Sequence, residues 1–246
     1  MLRNWILIPF IILLSGLTAG CSSANFGPLK FNAAPWHNGE VSEYIMRNSA
    51  GESIGTASIR IASGADANGN AIWNLQRDLL SEGDQQLSVV EMHADTLRPT
   101  LSIWAHSRDN DSEMIKTAYN GTQADLELTS VQSVMTNQRI SIPSDARDEQ
   151  TLATLIRALP LASGYATRIN VFLPLAGATE RAEIVVTGEE QIETPAGAFE
   201  AWRVNVNTES TASVAWVGKE APYPLLKFQD DRSDVTFELT NFQPGE

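Results

Sequence analysis

The chain has 246 residues, a formal net charge of −13, 43% apolar residues and one cysteine. That acidity excludes nucleic acid as a partner, because a polyanion is repelled and no dense run of Lys or Arg reverses the sign locally. A single cysteine excludes an intrachain disulfide and cysteine-rich zinc sites, and His37, His93 and His106 lack the spacing of a metal pair, so no metal or other cofactor is assigned.

Residues 1–20 begin with Arg3, continue through an apolar run at 5–14 and finish in small residues, which is the order of an export signal. The run is shorter than the ~20 apolar residues of a comfortable membrane span. Its end, Leu17-Thr18-Ala19-Gly20-Cys21, resembles the lipobox of bacterial lipoproteins, with Thr18 where leucine is usual. The resemblance implies that Cys21 becomes the new N-terminus and carries acyl chains such as palmitate, which anchor the chain to the cell envelope on its extracytoplasmic side. Ser22 follows in place of the aspartate that retains such proteins in the inner membrane, so the expected location is the outer membrane where one exists. Removing Arg3, the one charged residue among the first twenty, leaves the mature chain at −14. The stretch 21–39 is rich in Ser, Ala, Asn, Gly and Pro without periodicity and is read as the lipidated cysteine plus a flexible tether.

From residue 40 the pattern turns to period two, and 40–242 is read as one β-rich domain with 243–246 as a tail. In 56–61, Ala57, Ile59 and Ile61 alternate with Thr56, Ser58 and Arg60; in 124–129, Ala124, Leu126 and Leu128 alternate with polar residues. Further strands are expected at 72–79, 86–92, 100–106, 114–119 and 134–142, then at 165–173, 181–192, 199–207, 211–217, 225–229 and 234–242. Turn residues at 48–51, 64–70, 83–84, 109–111 and 120–121 separate them. The expectation is a mostly β fold: about a dozen antiparallel strands forming a curled sheet, half-barrel or sandwich, large enough to bury roughly 70% of the unfolded surface.

One amphipathic helix interrupts the strands at 148–159. Leu152, Leu155, Ile156 and Leu159 fall on one stripe, Asp145, Asp148 and Glu149 crowd the start, and Arg157 precedes Pro160 at the end. About three turns of helix are marginal alone, so the stripe must dock on the sheet; it is read as a lid or plug, with a movable lid over a cavity favoured over a permanent plug. Thr194-Pro195-Ala196-Gly197 predicts a hairpin with a bulged loop, in which Gly197 takes a positive φ and Trp202, Val204 and Val206 point inward.

Catalytic and metal motifs are weak. Gly51-Glu52-Ser53-Ile54-Gly55 has the spacing of a nucleophile elbow, yet both flanks are strands where the elbow needs a following helix. Asp66-Ala67-Asn68-Gly69-Asn70 starts like a calcium loop, but Ala71 and Arg77 stand where its glycine and glutamate are required. Asp109, Asp111 and Glu113 read as a solvated hairpin tip. The chain is therefore not expected to be an enzyme. Trp73, Trp104, Phe172, Trp202, Trp216, Phe228 and Phe237 all lie in strand runs and either pack a core or line an apolar cavity. The candidate ligand face comprises Leu152, Leu155, Ile156, Leu159, Trp104, Trp202 and Trp216.

Four stretches, Asp95-Thr96-Leu97-Arg98-Pro99, Leu155-Ile156-Arg157-Ala158-Leu159-Pro160-Leu161 with Gly164-Tyr165, Thr194-Pro195-Ala196-Gly197-Ala198-Phe199-Glu200-Ala201-Trp202-Arg203-Val204, and Pro222-Tyr223-Pro224-Leu225-Leu226-Lys227, resemble a domain-of-unknown-function family of exported bacterial β-rich proteins. The resemblance implies no catalytic residues. In architecture, a curled sheet with a helix against it is similar to the Lol lipoprotein carriers. Two functions stay open: a lipid-anchored envelope protein binding an apolar ligand, a lipid or lipidated segment, and a structural or assembly lipoprotein with a packed core that meets envelope proteins.

Overall fold

The computed structural model describes residues 24–109, 111–130 and 135–246. The export signal and Cys21 lie outside the described residues, as does Val134 at the start of one expected strand.

Among the described residues, fifteen strands form one sheet. The first eight are β1 (Glu40–Arg47), β2 (Ser53–Ala65), β3 (Ala71–Ser81), β4 (Asp84–His93), β5 (Pro99–Arg108), β6 (Asp111–Asn120), β7 (Gln123–Thr129) and β8 (Met135–Ser141). Then come β9 (Arg147–Asp148), β10 (Ala166–Leu173), β11 (Ala178–Thr194), β12 (Gly197–Asn207), β13 (Ala212–Gly218), β14 (Leu225–Asp230) and β15 (Val235–Gln243). Strand order is β8 to β1, then β15 down to β9, so each arm is a meander and the first and last strands join them, with Val41 opposite Gln243. Two details correct the expectation of about a dozen antiparallel strands. The count is fifteen, and the sheet is mixed because the two-residue β9 runs parallel to β10, pairing Arg147 with Val171. So short a strand carries no alternation for a sequence reading to find.

The sheet curls without closing. Its far arms meet through side chains: Phe172 of β10 packs with Trp104, Ile115, Leu126 and Ile142 in one cluster, and its ring meets Tyr119 edge-on at 6.1 Å. Alternation fixes which face is inward. Ile61, Leu75, Val204, Val206, Ala215 and Val217 all bury in the main core, while Trp202 only packs against it from a half-buried position. The hairpin at Pro195-Ala196 is tighter than expected: Thr194 pairs directly with Gly197, whose φ is +134°, and the irregularity lies further down, between Val186 and Gly188. Glycine is required at Gly55 for another reason, since a Cβ there would stand 2.3 Å from the Leu80 carbonyl oxygen across the ladder.

The helical segment is shorter and less regular than its period implied. A 3-10 turn (Glu149–Thr151), helix α1 (Leu152–Leu155) and a second 3-10 turn (Ile156–Ala158) follow one another. Asp148 caps the start, accepting from the Gln150 N–H at 2.8 Å. Leu159 is extended, as the residue before a proline prefers. Leu155, Ile156 and Leu159 are at most 3% exposed and sit in the main core. The segment is thus packed as a plug, the second of the two readings of its stripe.

The tether reading is also corrected, for residues 26–39. Gly27 bridges to Thr167, the Asn32 N–H donates to the Ala158 carbonyl at 2.8 Å, and Trp36 is 1% exposed within the core. Leu29, Phe31 and Ala34 pack beside it, and the Arg168 guanidinium lies 3.8 Å from the centre of the Phe26 ring. A segment without periodicity still folds when it carries enough apolar surface to cover the plug.

Candidate ligand cavity

Between α1 and the inner face of the sheet lies a half-open cavity of about 400 Å³, within the ~300–1,000 Å³ usual for small-molecule sites. Its apolar wall comes from several elements. β1 supplies Tyr44 and Met46, β2 Ala57 and Ile59, β3 Leu79, β10 Val171 and Leu173, and β14 and β15 supply Phe228 and Phe237. Leu152 and Ala153 of α1 form the side nearest the plug. The Tyr44 hydroxyl donates to the Leu225 carbonyl at 3.0 Å, and burial pushes its pKa up to about 12, so the wall stays neutral there.

One end of the cavity is polar. Arg77, Glu149, Gln150, Glu180 and Asp230 face it, with Arg232 at the exposed rim. Arg77 donates to the Gln150 side-chain oxygen, while its buried Nε has no acceptor among the described residues. Behind Glu149, the fully buried Asp148 accepts from the Tyr119 hydroxyl at 2.5 Å. Burial raises the Asp148 pKa, and burial followed by the neighbouring Asp148 pushes Glu149 up to about 7. Chemically, the site offers an apolar trough with a guanidinium and a readily protonated carboxyl at one end.

The seven residues of the expected ligand face are not brought together. Leu152 lines the cavity, whereas Leu155, Ile156 and Leu159 are packed beneath it in the main core. Trp104 belongs to the cluster joining the far arms, beside His106 at 5.6 Å. Trp202 is half-buried under the Lys219 ammonium, 4.7 Å from its ring centre. Trp216 sits in a separate cluster with Ala201, Leu226 and Leu239, donating from Nε1 to Glu190 at 2.8 Å between the cations of Arg203 and Lys227. Of the strand aromatics, Phe228 and Phe237 line the cavity. Arg77 was the residue to notice. In Leu75-Gln76-Arg77-Asp78-Leu79 the two-residue period puts a charge on the buried face between two leucines.

The remaining motifs are structural. Asp66 Oδ1 accepts the N–H groups of Asn68 and Asn70, both at 2.8 Å, in a polar hairpin turn. Ser53 pairs with Arg47 where β2 leaves its hairpin. No group of three or more His, Cys, Asp or Glu with metal-site geometry occurs among the described residues, and none of their helices is long and apolar enough to cross a membrane.

The fold is similar to that of a β-barrel-like protein of the DUF1849 domain of unknown function from Brucella abortus, with a TM-score of 0.55 at 8% identity over 85% of this chain and 99% of that one. Weaker matches are a candidate lipoprotein from Parabacteroides distasonis (TM-score 0.32, 12% identity, 87% and 99% coverage) and a candidate exported protein with a YmcC-like fold from Bacteroides fragilis (0.27, 11%, 87% and 100%). No curated protein matches the sequence. Residues 43–240, which span almost the whole sheet, match DUF3108, a protein family of unknown function, and the chain belongs to that family.

Proposed function

We propose that this protein is a lipid-anchored component of the bacterial envelope that holds an apolar ligand, a lipid or a lipidated segment, in the cavity beside α1. The observation that carries the reading is the half-open apolar trough of about 400 Å³ bounded by Leu79, Leu152, Phe228 and Phe237. A fully packed interior would leave no such space, since protein cores rarely hold voids larger than a water molecule. The role is read as binding rather than catalysis because the wall is mostly hydrocarbon, and the hydroxyls at its polar end, Ser210 donating to Glu180 at 2.9 Å and Ser233 to Asp230 at 2.7 Å, sit in exposed turns. Cys21 supplies the anchor, with each buried methylene of its acyl chains contributing about 0.8 kcal/mol, and outer-membrane sorting follows from Ser22.

Mass spectrometry of an organic extract from purified protein tests the ligand: about one apolar molecule per chain is expected. Protein that yields none, and that after delipidation neither takes up an apolar fluorophore nor gains melting temperature with phospholipid, contradicts the reading. That result favours a structural or assembly lipoprotein, a role supported by the packed burial of Leu155, Ile156 and Leu159. Cys21→Ser should move the domain from washed membranes to the soluble fraction; retention on the membrane at high salt would contradict the anchor.

A further inference from the structure

Arg77 occupies an inward position of β3, on the same face as Leu75 and Leu79, with Ile59 directly across the ladder on one side and the buried Ser88 on the other. An arginine there loses hydration and needs acceptors, and its planar fork suits an oxyanion that can take two parallel hydrogen bonds. The surroundings supply little of this. Its one hydrogen-bond acceptor is the neutral Gln150 side chain, its Nε is buried without an acceptor among the described residues, and Glu149, Asp148 and Asp230 act on it only through space. The buried Arg157, by contrast, has every nitrogen bonded, to a carboxylate and two carbonyls. The cavity that Arg77 lines is otherwise walled by hydrocarbon, and its volume of about 400 Å³ lies toward the lower end of the ~300–1,000 Å³ range, which suits one chain rather than two.

We propose that the ligand is a single-chain amphiphile with an anionic head, carboxylate or phosphate, that Arg77 holds the head, and that the tail lies along Leu79, Leu152, Phe228 and Phe237. This rests on the reading of the cavity as a ligand site. Among the carboxyls at that end, Glu149, pushed up to about 7 by burial and then by Asp148, can hold a proton at or below neutrality and donate to the head. Arg232 at the rim adds a second positive charge on the path of entry.

The test compares hexadecanoate, hexadecyl phosphate, hexadecanol and inorganic phosphate on delipidated wild type and on Arg77→Gln, by titration calorimetry at pH 6.5. The expected result is that both anionic amphiphiles bind wild type about tenfold or more tighter than the alcohol, that inorganic phosphate alone does not bind measurably, and that Arg77→Gln lowers the anions to the level of the alcohol. The tighter of the two anions then identifies the head. Equal binding of acid and alcohol to wild type overturns the assignment of the head while leaving the cavity reading intact; failure of all the long-chain probes overturns both. Inorganic phosphate binding as tightly as the amphiphiles also overturns it. These outcomes are read from wild type alone, so they hold even if Arg77→Gln does not fold, and Arg77→Lys, which keeps the charge but not the fork, should retain part of the preference.

Discussion

Arg157 and Arg77, two of the inward arginines among the described residues, have surroundings that differ in what they ask of a partner. Arg157, in the last turn of the plug, is 4% exposed and fully engaged: its guanidinium meets Glu40 at 2.6 and 3.1 Å and donates to the carbonyls of Tyr223 at 2.9 Å and Pro222 at 3.1 Å, with the Trp36 ring alongside. That constellation fastens the plug to β1 and to the 222–224 turn. Arg77, also inward, has one neutral acceptor and a buried nitrogen without any among the described residues. A buried charge with every nitrogen answered is a lock; one with a nitrogen left unanswered on the wall of a cavity is a site.

The comparison breaks most sharply at the lock. Arg157→Ala strands the Glu40 carboxylate in the core and should cost about 3–5 kcal/mol in urea denaturation, whereas replacing both residues with methionine should recover most of it. A single-variant loss below about 1 kcal/mol would mean the pair is not the fastening it resembles. Next comes the plug itself. Leu155, 1% exposed in the main core, should cost about 2–5 kcal/mol on truncation to alanine, and a loss under ~1 kcal/mol would restore the movable-lid reading.

The polar end gives a smaller effect of opposite sign. Glu149 faces Asp148, Arg77, Gln150 and Arg232, and its carboxyl is raised from 4.5 to about 7. A carboxyl raised in the folded state holds its proton there after the unfolded chain has lost it. Its contribution is therefore fully present below pH ~4.5 and is lost as the pH rises toward 7. Glu149→Gln, neutral throughout, should match wild type near pH 4.5 and exceed it by about 1–3 kcal/mol at pH 8. A constant difference across that interval would show that Glu149 does not titrate there.

How much of this was legible in the sequence follows from what carries a period. Strands such as β2 and β7 alternate cleanly, and the turns between the strands hold Gly, Asn and Asp, so the β meander could be read directly. The plug stripe at Leu152, Leu155, Ile156 and Leu159 was equally visible, but not that three of these residues would face the core while Leu152 reached the cavity. Phe31 and Trp36 pack in the main core beside the plug, and Phe26 lies against Arg168 of β10, from a stretch with no period at all. Arg157 read as a charge suiting a helix C-terminus, because the partner that turns it inward, Glu40, is distant in sequence. The tryptophans misled for a physical reason: an indole packs equally well in a core, in a side cluster or under a surface cation, so residue type does not say which face it serves.

The central claim is that the space beside α1 is a ligand cavity, and Ala153 offers the most direct test because it lines that space from the plug. Hexadecanoate titrated into delipidated wild type should saturate at one site per chain. The same titration into Ala153→Phe, whose ring would fill the trough, should show binding abolished with the melting temperature kept. Absence of binding to wild type, or an Ala153→Phe protein that still binds with unchanged affinity, would contradict the account.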